Sequence, residues 1–185
     1  MIVVLVIVAI ALALVLWFFG AYNGLVRMRQ EVKSAWSQID VQLKRRHDLI
    51  PNLVEAVKGY MGHERQTLEN VIKARQQAID ASALKDKIQA ENFLTQTLRS
   101  LFAVSERYPD LKANQNVMQL QEELTSTENR ISFARQFYND QTMRLNTAIE
   151  SVPTNLVAGM TGFAKSEFFE IEDTAHRAAP AVKFS

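Results

Sequence analysis

Residues 117–148, VMQLQEELTSTENRISFARQFYNDQTMRLNTA, decide the fold, because large side chains recur there every seven positions. The repeat consists of Val117, Leu124, Ile131, Tyr138 and Leu145. Sevenfold spacing places these side chains on one face of an α-helix, and that face must be buried against other helices. The pattern predicts a long amphipathic helix that ends before Pro153, since proline cannot continue a helix.

The same spacing organises the chain nearer its amino terminus. One apolar line, interrupted by Arg46, consists of Leu25, Val32, Ile39, Leu53 and Tyr60. A companion line consists of Trp36, Leu43, Ile50 and Val57. These lines predict one helix to about residue 61, and two shorter amphipathic helices precede Pro109. Four helices of unequal length with short links predict an all-α fold, an antiparallel up-down four-helix bundle.

Residues 1–22, MIVVLVIVAIALALVLWFFGAY, are apolar except for Gly20. As a helix they span roughly 33 Å, enough to cross a hydrocarbon core of about 30 Å. No basic side chain precedes the segment and no small-residue cleavage site follows it, so we expect an uncleaved anchor. No helix breaker separates the anchor from the bundle. We therefore expect a transmembrane anchor (1–22), a cytoplasmic four-helix bundle (23–152) and a tail with a short apolar segment (153–185).

Arg27, Arg29 and Lys33 follow the apolar segment, whereas no basic side chain precedes it. The positive-inside bias predicts that the body lies in the cytoplasm and that a short amino terminus lies outside. These three cations are also the candidates for contact with membrane lipid, through simple anchoring or through specific lipid binding.

Composition narrows the function. The 185 residues include no cysteine and carry a net charge of +1, which excludes disulfides, thiolate zinc sites and cysteine nucleophiles. Near-neutral charge argues against nucleic-acid binding. Of the three histidines, His63 begins a zinc-protease-like pattern but lacks the second histidine, and neither His47 nor His176 completes a ligand set. We predict no metal, no cofactor and no enzymatic activity.

Arg46 interrupts an apolar line, and a charge that faces a core needs a partner. Antiparallel alignment of the first and fourth helices brings Arg46 within a turn of Glu128 and predicts an interhelical ion pair. The same alignment predicts that Asp48 or Asp40 forms an ion pair with Arg130 or Arg135. The alternative is that the side chain of Arg46 reaches solvent beside the helix seam.

Proline and aromatic residues provide three further expectations. Pro51 frees the carbonyl of His47 and predicts a bend or a restart of the helix, with Asp48 as a possible cap, or else a tolerated kink. Aromatic side chains predicted to lie in the core are Phe133, Phe137 and Tyr138. Aromatic side chains expected either to contact a neighbouring subunit or the membrane interface, or to close the open end of the bundle, are Phe163, Phe168 and Phe169.

The sequence resembles the LemA family of bacterial membrane-anchored proteins. The resemblance is carried by residues 22–26 (YNGLV), 35–36 (AW), 39–54 (IDVQLKRRHDLIPNLV), 128–131 (ENRI), 134–135 (AR), 138–139 (YN), 162–163 (GF) and 168–170 (FFE). It implies one transmembrane helix in the bacterial cytoplasmic membrane, a short outside terminus and a helical-bundle body inside. It implies no reaction.

Together these patterns predict a non-enzymatic single-pass membrane protein. Surplus heptad surface favours a homo-oligomeric helical scaffold that organises or shapes membrane. The alternative is an adaptor or sensor that presents its bundle to a partner such as a membrane protease or a signalling protein.

Overall fold

A computed structural model of the chain describes residues 1–62 and 64–169. In these residues there are helices and loops but no strand. The helices are α1 (Ile2–Lys58), α2 (Arg65–Asp80), α3 (Leu84–Ser105), α4 (Pro109–Lys112), α5 (Gln115–Glu150) and α6 (Thr154–Thr161). The predicted all-α fold is confirmed, with α1, α2, α3 and α5 as the four predicted helices. His63 and residues 170–185, including His176 and the end of the predicted tail, lie outside the described residues.

The chain divides into two compact units, and the two long helices each contribute to both. The first unit consists of Met1–Arg46 and Leu124–Phe168. The second consists of His47–Glu123 together with Phe169.

The core of the first unit is built from the heptad faces of α1 and α5. The most deeply buried apolar side chains on these faces are Leu25, Ala35, Ile39, Leu43, Ile131 and Leu145. The ring of Trp36 on α1 meets the ring of Tyr138 on α5 edge to face, with centroids 5.5 Å apart. Further along α1, Arg46 contacts Glu128. Residue number thus rises along α1 as it falls along α5, so the two helices are antiparallel in this unit, as the predicted bundle requires.

The core of the second unit lies between α2, α3 and the end of α1. Helices α2 and α3 pack against each other, and residues 81–83 link them. Their apolar faces are buried at Val71, Ala74, Ala78, Leu94, Leu98 and Leu101. Pro109 occupies the first turn of α4, where its missing N–H leaves no helical hydrogen bond unmade.

Helix α1 is continuous over 57 residues, from the apolar start into the body. Its most apolar 18-residue window has a mean hydropathy of 3.3 and contains no buried residue. By length and composition this part of α1 can cross a membrane. Because the helix does not break after Tyr22, the predicted continuity between the apolar segment and the body is confirmed.

Two aromatic residues lie on the outside of the first unit. Tyr138 is buried, but Phe133 and Phe137 are 70% and 44% exposed, so the prediction that all three belong to the core is wrong for these two. Helical periodicity explains the difference, because the buried face of α5 passes through Ile131 and Tyr138, while the positions two and six residues after Ile131 point away from it.

Candidate functional site

The end of α5 is fastened to the return segment, which we define as residues 163–168. The side-chain Nδ2 of Asn146 donates to the backbone carbonyl of Ser166 at 2.9 Å. The backbone N–H of Ser166 donates to Oδ1 of the same amide, also at 2.9 Å. One buried side chain therefore satisfies both backbone polar groups of a residue that has no helical partners. Sequence reasoning missed this role, although a polar amide next to the heptad residue Leu145 is a signal of it.

Tyr138 makes a second attachment to the return segment. Its hydroxyl donates to the backbone carbonyl of Glu167 at 2.9 Å. Burial raises the pKa of Tyr138 above its ordinary value, a hydrogen bond with Thr142 acts in the opposite direction, and the Glu167 carboxylate adds to the rise. The phenol is already protonated at neutral pH, and the raised pKa of Tyr138 extends its role as a hydrogen-bond donor to more alkaline pH.

Phe163 connects the return segment to the beginning of the body on α1. Its ring meets that of Tyr22 edge to face at a centroid distance of 6.0 Å. The guanidinium carbon of Arg29 lies 4.9 Å from the centroid of the same ring, in cation–π geometry. We call Tyr22, Arg29 and Phe163 the membrane-end junction. The structure thus brings together two of the predicted membrane-proximal or subunit-contact residues, Arg29 and Phe163, within one unit.

The other residues predicted for membrane or subunit contact differ in exposure. Arg27 and Lys33 are exposed on α1. Phe168 is partly exposed, whereas Phe169 is buried. Their contact with a membrane or with a neighbouring subunit stays a prediction.

Arg46 and Glu128 form an ion pair in the first unit. The Arg46 side chain is 0% exposed, and its Nη1 donates to Oε2 of Glu128 at 2.5 Å. This is the contact that antiparallel alignment of the two heptad patterns predicts. The alternative, in which Arg46 reaches solvent, does not fit its complete burial.

The rest of the predicted polar network is not settled by the described contacts. Asp40, Asp48 and Arg130 are exposed, and Arg135 is buried. Pairing of either aspartate with either arginine stays a prediction.

Helix α1 passes through Pro51 without restarting, so the predicted restart capped by Asp48 is wrong. Proline at position 51 removes the N–H that the carbonyl of His47 would accept. Arg75 on α2 replaces that donor, since its Nε donates to this carbonyl at 2.7 Å. A tertiary hydrogen bond therefore compensates for the missing helical one, and the helix continues to Lys58.

The His47 side chain is paired as well. Its Nε2 lies 2.9 Å from Oε1 of Glu91 on α3, and the Glu91 side chain is 0% exposed. Sequence reasoning missed Glu91, although a carboxylate three residues from both Ile88 and Leu94 interrupts the apolar face of α3. Among the described residues, no three histidine or carboxylate side chains are grouped as a metal site would require. The arrangement is a buried polar pair between α1 and α3.

An open groove with a volume of about 430 Å³ lies between α1 and α5 in the first unit. We call it the aromatic groove, and its lining residues are Gln38, Val41, Gln42, Arg130, Phe133, Ala134 and Phe137. The two phenylalanines that do not belong to the core therefore form one wall of a surface depression. The polar part of the groove lining consists of the side chains of Gln38, Gln42 and Arg130.

Residues 35–184 match the model of the LemA family. The chain belongs to the LemA family. The match covers the bundle helices from Ala35 onward, and it confirms the resemblance carried by the sequence motifs. Family membership and the exposed apolar start of α1 together indicate a membrane-associated protein.

Named relatives of this LemA-family chain include two magnetosome proteins. It is 25% identical over 175 residues to magnetosome protein MamQ 2 of Paramagnetospirillum magneticum, covering 80% of this chain and 64% of the relative. It is 24% identical over 174 residues to magnetosome protein MamQ of Magnetospirillum gryphiswaldense, with the same coverage of both chains. Protein LemA of Metamycoplasma hominis is 27% identical over 142 residues, covering 76% of this chain and 65% of the relative. The LemA-family chain thus spans just under two thirds of these curated relatives, and none of their names states a reaction.

Proposed function

We propose that the chain is a membrane-anchored helical scaffold that self-assembles in the plane of the bilayer and organises or shapes the membrane. The aromatic groove is the observation that carries this proposal. Phe133 and Phe137 expose large apolar rings, and Val41 lies beside them at 63% exposure. Contiguous apolar surface of this kind marks an interaction site when polar residues surround it.

Anchoring favours a second copy of the chain as the occupant of the aromatic groove. A membrane-crossing α1 confines every copy to one plane, which raises their effective concentration for one another. The groove runs between α1 and α5, so it faces sideways from the helix that crosses the membrane. Copies held in this way meet laterally, side against side.

The proposal includes an orientation. Arg27, Arg29 and Lys33 support a body in the cytoplasm and a short amino terminus outside the bacterial cytoplasmic membrane. Membrane lipid is then a partner along the anchor. The proposal includes no nucleic acid, no cofactor and no reaction.

Self-assembly is tested by replacing the wall of the aromatic groove in the full chain. We expect wild-type protein in membranes to form assemblies visible by electron microscopy, and the double variant Phe133→Ser, Phe137→Ser to lose them. Met143→Ser is the matched control, because Met143 is an exposed apolar residue of α5 outside the groove. Circular dichroism should show equal helix content in all three proteins, since the altered side chains are exposed.

Two results would contradict self-assembly: wild-type protein that stays monomeric at every concentration, or a double variant that assembles like the wild type. The groove also supports the alternative of an adaptor or sensor that presents its bundle to a membrane protease or signalling protein. That function predicts a monomeric chain whose partner binding depends on Phe133 and Phe137.

A further inference from the structure

Residues 151–164 contain no charged side chain, in a body that is otherwise rich in charge. This uncharged loop contains α6. It begins next to Glu150 and ends next to Lys165, and these two residues form an ion pair. The two ends of the loop are therefore held together, and the nearest charged residues of the chain lie at its base.

Helix α6 has two apolar faces. Val157 and Ala158 face inward and are buried. Leu156 and Met160, one turn apart, face outward and are 62% and 78% exposed, and Val152, two residues before the helix, is also exposed. Keeping side chains of this size in water is unfavourable by about 25 cal/mol per Å² of apolar surface. We call these three residues the outer face of α6.

The membrane-end junction fixes the level of α6 along α1. Gly162 adopts a left-handed conformation with φ of 72°, which turns the chain directly from α6 into Phe163. Phe163 contacts Tyr22, the last residue of the apolar segment. An eight-residue helix is about 12 Å long, and the rings of Phe163 and Tyr22 lie 6.0 Å apart. Even the far end of α6 therefore lies within roughly 20 Å of Tyr22, the expected end of the membrane-crossing part of α1.

Two cationic side chains lie at the same level. Arg29 lies over the ring of Phe163, and Lys165 is exposed at the base of the uncharged loop, where it pairs with Glu150. Aromatic rings followed by cations are the arrangement found where a protein passes from acyl chains to headgroups. A lipid surface therefore matches this end of the unit in polarity, charge and position.

We propose that α6 is a lipid-binding element whose outer face, Val152, Leu156 and Met160, is immersed in the headgroup–acyl boundary of the membrane that α1 crosses. Immersion removes the exposed apolar side chains from water and leaves the Lys165–Glu150 pair at the level of the headgroups. The proposal does not require self-assembly, since each copy inserts its own α6.

The cysteine-free sequence makes the depth of α6 directly measurable. Leu156→Cys and Met160→Cys are each labelled with an environment-sensitive fluorophore in the full chain. The labelled proteins are reconstituted in vesicles of phosphatidylcholine and phosphatidylglycerol, with or without doxyl-labelled lipid. Ser132→Cys is the control, because Ser132 is exposed on α5 and lies 18 residues, or roughly 27 Å, before Glu150.

We expect doxyl lipid to reduce emission about twofold at both α6 positions, since an interfacial helix lies about 5–10 Å into the boundary, and to leave Ser132→Cys unchanged. Equal responses at all three positions would overturn the proposal. A second result would also overturn it. If the α6 labels are shielded from aqueous quenchers and insensitive to doxyl lipid, and quench one another between copies, then a second copy of the chain, and not lipid, covers the outer face. The labelled positions are exposed, so helix content should match that of the wild type.

Discussion

The ion pair between Arg46 and Glu128 joins a fully buried guanidinium to a carboxylate that is 32% exposed. If the carboxylate is removed, the guanidinium keeps its desolvation cost and loses a charge-assisted partner. We expect Glu128→Gln to lower the free energy of unfolding by about 1–3 kcal/mol. The value should fall in the lower part of this range, because water screens an exposed carboxylate.

A double-mutant cycle with Arg46→Met isolates the pair. Chemical denaturation of the full chain in detergent, followed by circular dichroism, should give a coupling energy of about 0.5–3 kcal/mol. Glu122→Gln is the control, an exposed carboxylate on the same helix whose loss should change stability by less than about 0.5 kcal/mol. A coupling of zero would show that the two residues are near one another without stabilising the fold.

Single residues also show where sequence reasoning succeeds and where it stops. Arg46 could be assigned a partner because both residues lie on helices whose registers the heptads define. No partner could be predicted for Asn146, because Ser166 lies in the return segment. The path of that segment depends on the turn at Gly162 and on contacts between residues distant in sequence. The apolarity of Phe133 predicts a core position, but its place two residues after Ile131 puts it on the outer side of α5.

Helix α1 tolerates Pro51 because α2 supplies the missing hydrogen-bond donor. We expect Arg75→Met to lower the free energy of unfolding by about 1–3 kcal/mol, since it leaves the His47 carbonyl without the guanidinium. In a Pro51→Ala background the backbone N–H returns, and the same arginine substitution should cost less.

The difference between the two backgrounds is measured by chemical denaturation of the four proteins. Arg65→Met, an exposed substitution on the same helix as Arg75, should cost the same in both backgrounds. If Arg75→Met also costs the same in both, the guanidinium does not compensate for the proline.

The elements differ in how far the sequence predicts them. The long helices follow from repeated apolar spacing, because burial recurs with the helical period over many turns. Helix α6 has only eight residues and no heptad, so the tail could be described only as a short apolar segment. Its outward Leu156 and inward Val157 are adjacent in sequence, and composition alone does not distinguish the two faces.

For the whole molecule, the distribution of charge around α1 predicts its orientation. In spheroplasts, we expect a membrane-impermeant maleimide to label Ser132→Cys only after lysis. Ser132 is exposed on α5, so its accessibility depends on the side of the membrane rather than on burial. Labelling of Ser132→Cys in intact spheroplasts would place the body outside and contradict the orientation derived from Arg27, Arg29 and Lys33.

The unbroken course of α1 has a consequence for how the protein responds to bilayer thickness. Residues 23–58 continue the apolar segment as helix for about 54 Å. A transmembrane helix accommodates a thinner hydrocarbon layer by tilting, with an average tilt of about 20°. Such a tilt would carry the far end of α1 sideways by roughly 18 Å, since no break in the helix absorbs the rotation. A change in membrane thickness would thereby become a lateral displacement of the far end of α1.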